Sequence, residues 1–153
     1  MPCHVAVVDK LITVSPRDSV ESVLKIMKKN KIGAVPVVDD KGVLQGVFSM
    51  KILLKNLIPV SVVMNDGVQM DIKVGAAPGV AKRLRKVKPL AVEELMDRKV
   101  HSVGPDAPIW EGVSLMTSHG GPLAVVDATH KLIGIITYDS LVEALESIQD
   151  TGE

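Results

Sequence analysis

The chain has 153 residues, which is enough for one ordinary domain or for two small ones that share a core. Lysine plus arginine number 18 and aspartate plus glutamate also number 18, so the formal charge is zero and a protein that mainly coats polyanions is disfavoured. Aromatic residues make up only 2%, so the core must be aliphatic. The single cysteine, Cys3, excludes an intramolecular disulfide and a cysteine-based zinc site. No leader segment and no long apolar run is present, which predicts a cytoplasmic protein outside the membrane.

The first part of the chain predicts a helix followed by a pair of strands. Asp18 and Glu21 resemble a capping box, and the apolar residues after them recur at helical spacing, which predicts an amphipathic helix that ends at Gly33. Apolar, β-branched residues with turn residues between them then predict a strand, a turn and a second strand. These are residues 34–38, 39–42 and 43–48. Ser49 can cap a short closing helix.

Residues 58–94 are longer than a simple connector. Asn65-Asp66-Gly67 is a strong turn signal, so a hairpin is expected around it, with strands at 60–64 and 68–74. Pro78-Gly79 is expected to open a short helix further along.

The stretch from residue 73 to residue 88 is basic. It contains six lysines and arginines and no acidic residue, which gives a local charge of +6. Such a stretch is a solvated face, or it contacts a phosphate-bearing ligand, nucleic acid or an acidic partner. Nucleic acid is the weaker option because aromatic stacking platforms are missing and the overall charge is neutral.

The last part of the chain repeats the first. Residues 101–145 align with residues 12–57 at an offset of 89, and at an offset of 88 after one residue is lost. Eleven identities are found where about three are expected by chance. The same order of elements is predicted, with a helix, two strands and a closing helix at 109–118, 123–126, 132–136 and 138–148.

The doubled order of elements resembles a tandem pair of CBS domains, also called a Bateman module. The resemblance rests on P-V-V-D at 36–39 and A-V-V-D at 124–127, followed by turns at Gly46–Ser49 and Gly134–Thr137. It implies an α/β (α+β) fold in which two repeats pack through their sheets about a pseudo-twofold axis. The chain then divides into a first repeat, an inter-repeat segment, a second repeat and a tail, at residues 1–57, 58–94, 95–148 and 149–153.

The resemblance also implies a ligand site in the second repeat. The family's motif, G-h-x-[ST]-x-[DN] with h apolar, is complete from Gly134 to Asp139 and includes Tyr138. Thr137 at a helix start offers a hydroxyl beside free N–H groups, which suits a phosphate, and the Asp139 carboxylate can accept from both ribose hydroxyls. Without a ligand the same two residues form an ordinary helix cap and a favourable first-turn acid. By resemblance, the base would contact His101, Ser102, Val103, Pro122, Leu123 and Ala124.

The first repeat departs from the motif. Ser49 fits, but Lys51 stands where the ribose-binding acid is expected, and an ammonium group cannot accept hydrogen bonds. A second candidate site, built on Ser49 and Lys51 with Thr13 and Val35 by analogy, is therefore empty, degenerate or specialised for a more anionic ligand. A solvated surface lysine is the simpler interpretation of Lys51.

The resemblance predicts a regulatory module rather than an enzyme. Its ligand would be an adenine nucleotide (AMP, ADP or ATP) or S-adenosylmethionine, and ligand binding would signal to an unknown partner protein through a conformational change. A homodimer is expected. No catalytic or metal site is predicted, because the four histidines are scattered and no P-loop is present. The alternatives are a ligand-free dimerisation scaffold and nucleic-acid binding through residues 73–88.

Overall fold

The fold was obtained as a computed structural model, which describes residues 1–58 and 77–148. The hairpin predicted at 60–64 and 68–74, and the tail, lie outside the described residues. Helices and strands are both present, which confirms the mixed α+β class. No helix among the described residues is long and apolar enough to cross a membrane.

Each repeat contains two helices around a small sheet. The first repeat contains α1 (Val20–Asn30), β1 (Ala34–Val38), β2 (Leu44–Ser49) and α2 (Met50–Lys55). The inter-repeat segment contains α3 (Ala77–Val87). The second repeat contains β3 (Ser102–Val103), α4 (Ile109–His119), β4 (Leu123–Val126), β5 (Leu132–Ile136) and α5 (Tyr138–Glu146). Short 3₁₀ helices lie at Cys3–Ala6 and Val92–Glu94.

The N-cap of α1 is Ser19, so the capping box predicted at Asp18 is wrong. The Ser19 hydroxyl accepts a hydrogen bond from the Ser22 N–H at 3.1 Å. Asp18 instead accepts from the Ser15 N–H at 2.9 Å, which fixes the turn before the helix. Both residue types are good N-caps, and this competing bond decides between them.

The two sheets share one strand arrangement. β1 pairs antiparallel with β2, and Val14 forms a parallel bridge to Val37 of β1. In the second repeat β3 lies parallel to β4, and β4 pairs antiparallel with β5. Val103 corresponds to Val14 at the offset of 89, so the Val14 bridge is the first-repeat counterpart of β3.

The sheet of each repeat is extended by residues near the start of the other repeat. The Val8 N–H donates to the Ile135 carbonyl in β5, and the Asp97 N–H donates to the Val47 carbonyl in β2, both at 2.9 Å. Val8 and Asp97 are equivalent at the offset of 89, so the two contacts are related by the repeat. The start of the chain therefore packs on the second repeat.

Cys3 shows how firmly the start of the chain is held. It is fully buried in one core with Met116 and Leu123 of the second repeat. Burial raises the pKa of the Cys3 thiol, so it is an uncharged core side chain and not a nucleophile at neutral pH.

Separate aliphatic cores fill the two repeats, and a small third cluster joins them. Phe48 is the one buried aromatic residue, and it lies in the first-repeat core with Val92 of the inter-repeat segment and Met96 of the second repeat. The joining cluster is Leu44, Ala124 and Val126, with Val38, Val100 and Leu132 against it.

Two β-turns connect the repeats by reciprocal hydrogen bonds. The Leu44 N–H donates to the His130 carbonyl at 3.1 Å, and the Leu132 N–H donates to the Gly42 carbonyl at 2.9 Å. At the offset of 88, Leu44 corresponds to Leu132 and Gly42 to His130, so the two bonds are related by the pseudo-twofold axis. Gly42 and His130 both adopt left-handed backbone, with φ of 83° and 66°.

An aspartate shapes each of these turns. Asp39 Oδ1 accepts from the N–H groups two and four residues later at 2.8 and 2.9 Å, and Asp127 Oδ1 does the same at 2.9 and 3.0 Å. Hydrogen bonds from the Thr129 hydroxyl and the Lys131 N–H hold the pKa of Asp127 below its ordinary value. The two turns share this hydrogen-bond geometry, which explains why the aspartate recurs in P-V-V-D and A-V-V-D.

Gly46 permits the close approach of the backbone at Asp97, and its replacement tests this packing. A Cβ at Gly46 would lie 2.6 Å from the Asp97 carbonyl oxygen, whereas a Cβ at Gly104 would meet no atom within 4 Å. We expect Gly46→Ala to lower the free energy of unfolding by about 1–3 kcal/mol because the backbone must shift. Gly104→Ala should change it by less than about 0.5 kcal/mol. Equal values in denaturant titrations would contradict the described packing.

Candidate functional site

A cleft of about 610 Å³ lies between the two repeats. Its first-repeat wall consists of Lys10, Ile12, Lys31, Ile32, Gly33, Ala34, Ser49 and Lys51. Its second-repeat wall consists of Gly121, Pro122, Ile135, Thr137, Tyr138 and Asp139, and Val8 completes the lining. Both motif regions singled out in the sequence thus border one space.

Thr137 begins the helix on the second-repeat wall. Its hydroxyl oxygen accepts from the Ser140 N–H at 3.1 Å, while the Thr137 N–H donates to the Ser140 hydroxyl at 2.9 Å, which forms a capping box. The N–H groups of Tyr138 and Asp139 follow in the first turn, where the helix itself offers no acceptor. The Asp139 side chain is exposed beside them. This wall therefore offers N–H donors and one carboxylate to a ligand.

Tyr138 lies on the second-repeat wall next to the end of α4. Its hydroxyl is 3.5 Å from the Met116 carbonyl oxygen. Gly120 and Gly121 lie against it, since a Cβ at either position would come within 4 Å of the tyrosine. The side chain is 56% exposed, so it borders the cleft without filling it.

The first-repeat wall is basic. Ser49 caps α2 by accepting from the Ile52 N–H at 3.1 Å, and Lys51 follows in the first turn of that helix. Lys31 is the left-handed C-cap residue of α1, with φ of 55°. The Lys10 ammonium group is 3.5 Å from the side-chain oxygen of Asn30, which is uncharged. Among the described residues, the wall thus brings three positive charges to the cleft, and Asp139 supplies its one carboxylate.

Six of the predicted site residues line this cleft. They are Ser49, Lys51, Pro122, Thr137, Tyr138 and Asp139. The others lie outside its lining: Thr13, Val35, His101, Ser102, Val103, Leu123, Ala124 and Gly134. Four of these eight, Val35, Val103, Leu123 and Ala124, are buried core residues, whereas Thr13 and His101 are exposed.

Gly134 and His101 have specific surroundings away from the cleft. A Cβ at Gly134 would lie 3.0 Å from Val7, so the glycine makes room for the start of the chain. The imidazole of His101 stacks on that of His119 with ring centroids 3.8 Å apart. At the offset of 89 His101 corresponds to Ile12, which does line the cleft, and His119 corresponds to Asn30, the last residue of α1.

Sequence reasoning missed the residues of the first-repeat wall that precede Ser49. His101 was predicted by resemblance, and the repeat offset of 89 relates it to Ile12, so a signal for Ile12 was present. Lys10 and Lys31 carried no such signal, because an isolated exposed lysine is the commonest surface residue. Val8 reaches the cleft only because it pairs with Ile135 of the other repeat.

Comparison with known proteins gives a family match over both repeats. The model of the CBS domain matches residues 5–59 and 92–147. The uncharacterised protein MJ1426 of Methanocaldococcus jannaschii is 28% identical over 148 residues, which cover 91% of this chain and 88% of that protein.

Solved structures of similar proteins share the fold along almost the whole chain. CBSX2, a CBS-pair protein from Arabidopsis thaliana, in complex with AMP has a TM-score of 0.70 at 26% identity, covering 95% of this chain and 96% of that one. MJ1225 from M. jannaschii, proposed as an archaeal homologue of the γ subunit of AMPK, has a TM-score of 0.73 at 20% identity. That match covers 94% of this chain and 47% of that one, and at this identity it supports the fold alone.

Proposed function

This chain belongs to the CBS domain family as a tandem pair of repeats, and on that premise we propose that it is a regulatory module that binds an adenine nucleotide. The ligand would occupy the cleft between the repeats. Asp139 would accept hydrogen bonds from the ribose hydroxyls, and the first turn of α5 after Thr137 would receive the phosphate nearest the ribose.

One observation carries the proposal. The motif residues Thr137, Tyr138 and Asp139 border a cleft large enough for a small-molecule ligand, and Ser49 and Lys51 at the equivalent positions face the same space. The similarity to CBSX2, whose structure contains AMP, supports an adenosine ligand. The Ser49 and Thr137 hydroxyls serve as helix caps. We therefore propose that these two residues bind the ligand and catalyse no reaction.

A ligand in this cleft would be sensitive to the relative position of the repeats. Its contacts would come from both walls, and each wall belongs to a different repeat. Any rearrangement at the paired turns that moved one wall would change the affinity, and by linkage the ligand would favour one arrangement. A partner protein that recognises one arrangement would read the occupancy of the cleft.

Thermal unfolding with AMP, ADP and ATP tests the proposal. At a nucleotide concentration about 100-fold above its Kd, the stabilisation is about 2.7 kcal/mol, or roughly 5–10 °C in Tm for a chain of this size. Asp139→Ala should weaken binding at least about tenfold, because hydrogen bonds to a charged acceptor are lost. Glu143→Ala is the matched control, since Glu143 is exposed one turn later on α5 and does not line the cleft.

Two results would contradict the nucleotide proposal in different ways. If no nucleotide raises the Tm of the wild type, the ligand-free scaffold becomes the better description. If Asp139→Ala responds like Glu143→Ala, a nucleotide binds but not at this cleft.

We further propose that two copies of the chain associate through α2 and α5. Leu54 on α2 is 61% exposed and Val142 on α5 is 53% exposed, although both are apolar. The two residues are equivalent at the offset of 88, so the pseudo-twofold axis presents the same apolar feature twice. A second copy can meet a surface of this kind with its own equivalent surface, as in isologous dimers.

Light scattering coupled to size exclusion tests the dimer. The double variant Leu54→Asp/Val142→Asp should elute as a monomer because charges would be buried on association. The Tm of the double variant is measured to show that the variant remains folded. Ile133→Asp, which changes an apolar residue that is 44% exposed on β5, should remain a dimer. A monomeric wild type, or a dimeric double variant, would refute this interface.

A further inference from the structure

We infer that the cleft selects nucleotides with two or three phosphates over the monophosphate. This inference rests on the proposed function and concerns the same site. The ribose and first phosphate would lie at Asp139 and the start of α5. The outer phosphates would lie against Lys10, Lys31 and Lys51 of the first-repeat wall.

The distribution of charge in the cleft supports this assignment. Within residues 1–58 and 77–148, the charged side chains that line it are three lysines and Asp139, and all three lysines belong to the first-repeat wall. A monophosphate placed at the first turn of α5 is already served by N–H donors of the second-repeat wall. The lysines are then available to bind additional negative charge, which a monophosphate does not carry. Each additional phosphate supplies such charge.

Lys51 marks the clearest chemical difference between the two walls. It occupies the position equivalent to Asp139 at the offset of 88. At this matched position the second repeat has a hydrogen-bond acceptor, whereas the first repeat has a cation. Lys51 cannot accept hydrogen bonds from a pair of ribose hydroxyls as Asp139 can, because an ammonium group only donates. One nucleotide that extends from Asp139 towards Lys51 uses both positions. Two nucleotides bound side by side would not.

Lys31 and Lys10 lie on the same wall of the cleft as Lys51, so they increase the positive charge of that wall. Lys31 adopts the left-handed conformation that glycine or asparagine commonly takes at the end of a helix. A lysine at this position therefore has a conformational cost. A role of its positive charge in binding phosphate would account for a lysine here. The Lys10 ammonium group contacts the neutral Asn30 side chain, which positions the charge without cancelling it.

The Ser49 hydroxyl can contribute as well. It accepts a hydrogen bond from the Ile52 N–H, which leaves its own proton free to donate. A phosphate oxygen near Lys51 could receive that proton in a hydrogen bond. The wall would then offer a hydroxyl donor together with three ammonium groups.

Calorimetric titrations of the full chain with AMP, ADP and ATP test the inference, with EDTA present so that Mg²⁺ does not neutralise the phosphates. The wild type should bind ATP at least about tenfold more tightly than AMP, with one nucleotide per chain. Lys51→Ala should weaken ATP at least about tenfold and AMP less than about threefold. Asp139→Ala should weaken all three nucleotides by similar factors. Lys55→Ala is the control, because Lys55 is exposed on the same helix and does not line the cleft.

Competition by inorganic tripolyphosphate separates recognition of the phosphates from recognition of the nucleoside. It should displace ATP from the wild type, but only at concentrations well above that of ATP, and Lys51→Ala should weaken its competition. Tripolyphosphate that binds as tightly as ATP would overturn the inferred role of Asp139.

The failures of the two proposals are distinguishable. If AMP binds the wild type as tightly as ATP, or if Lys51→Ala weakens AMP and ATP equally, the selection for outer phosphates is refuted while nucleotide binding stands. If no nucleotide binds, the proposed function itself fails and the inference fails with it.

Discussion

The reciprocal hydrogen bonds between the two β-turns are the contact on which the remaining arrangement depends. They join Leu44 to His130 and Leu132 to Gly42, so they fix the register of one repeat against the other. Ser49 and Thr137 follow Leu44 and Leu132 by five residues each, or about 17 Å of extended chain. Because the two strands start from one paired contact, their far ends begin two helices that border the same cleft. The geometry of the site is thus set at the turns.

The crossed segments give the pair a second connection. Residues at the start of the chain extend the sheet of the second repeat through Val8, and residues at the start of the second repeat extend the sheet of the first through Asp97. Val7 and Asp97 pack closely on Gly134 and Gly46, which are equivalent positions. Neither repeat has a complete core from its own residues alone. A change in the packing of one repeat therefore reaches the other through covalent chain as well as through the turns.

Local signals were sufficient for most elements. The strands around the turns and the helices after Ser49 and Thr137 were predicted nearly to the residue, because apolar periodicity, capping and turn chemistry act over a few residues. The cap of α1 was misplaced because Asp18 and Ser19 are both suitable and the choice depends on a bond to Ser15. The sequence placed Thr137 and Asp139 in one candidate site and Ser49 and Lys51 in a second, whereas all four residues line one cleft. Lys10 and Val8 were missed because they reach the cleft through contacts with distant parts of the chain, which leave no local pattern.

The central claim is that the two repeats form one ligand cleft. The most direct measurement is a titration of the ¹⁵N-labelled chain with ATP, observed by the backbone amide resonances. We expect the amides of Ser49 and Lys51 and those of Thr137 and Asp139 to shift together along one binding curve. The exposed Trp110 amide serves as an internal reference outside the cleft. Shifts confined to the motif of one repeat, or two separate binding curves for the two motifs, would contradict the claim.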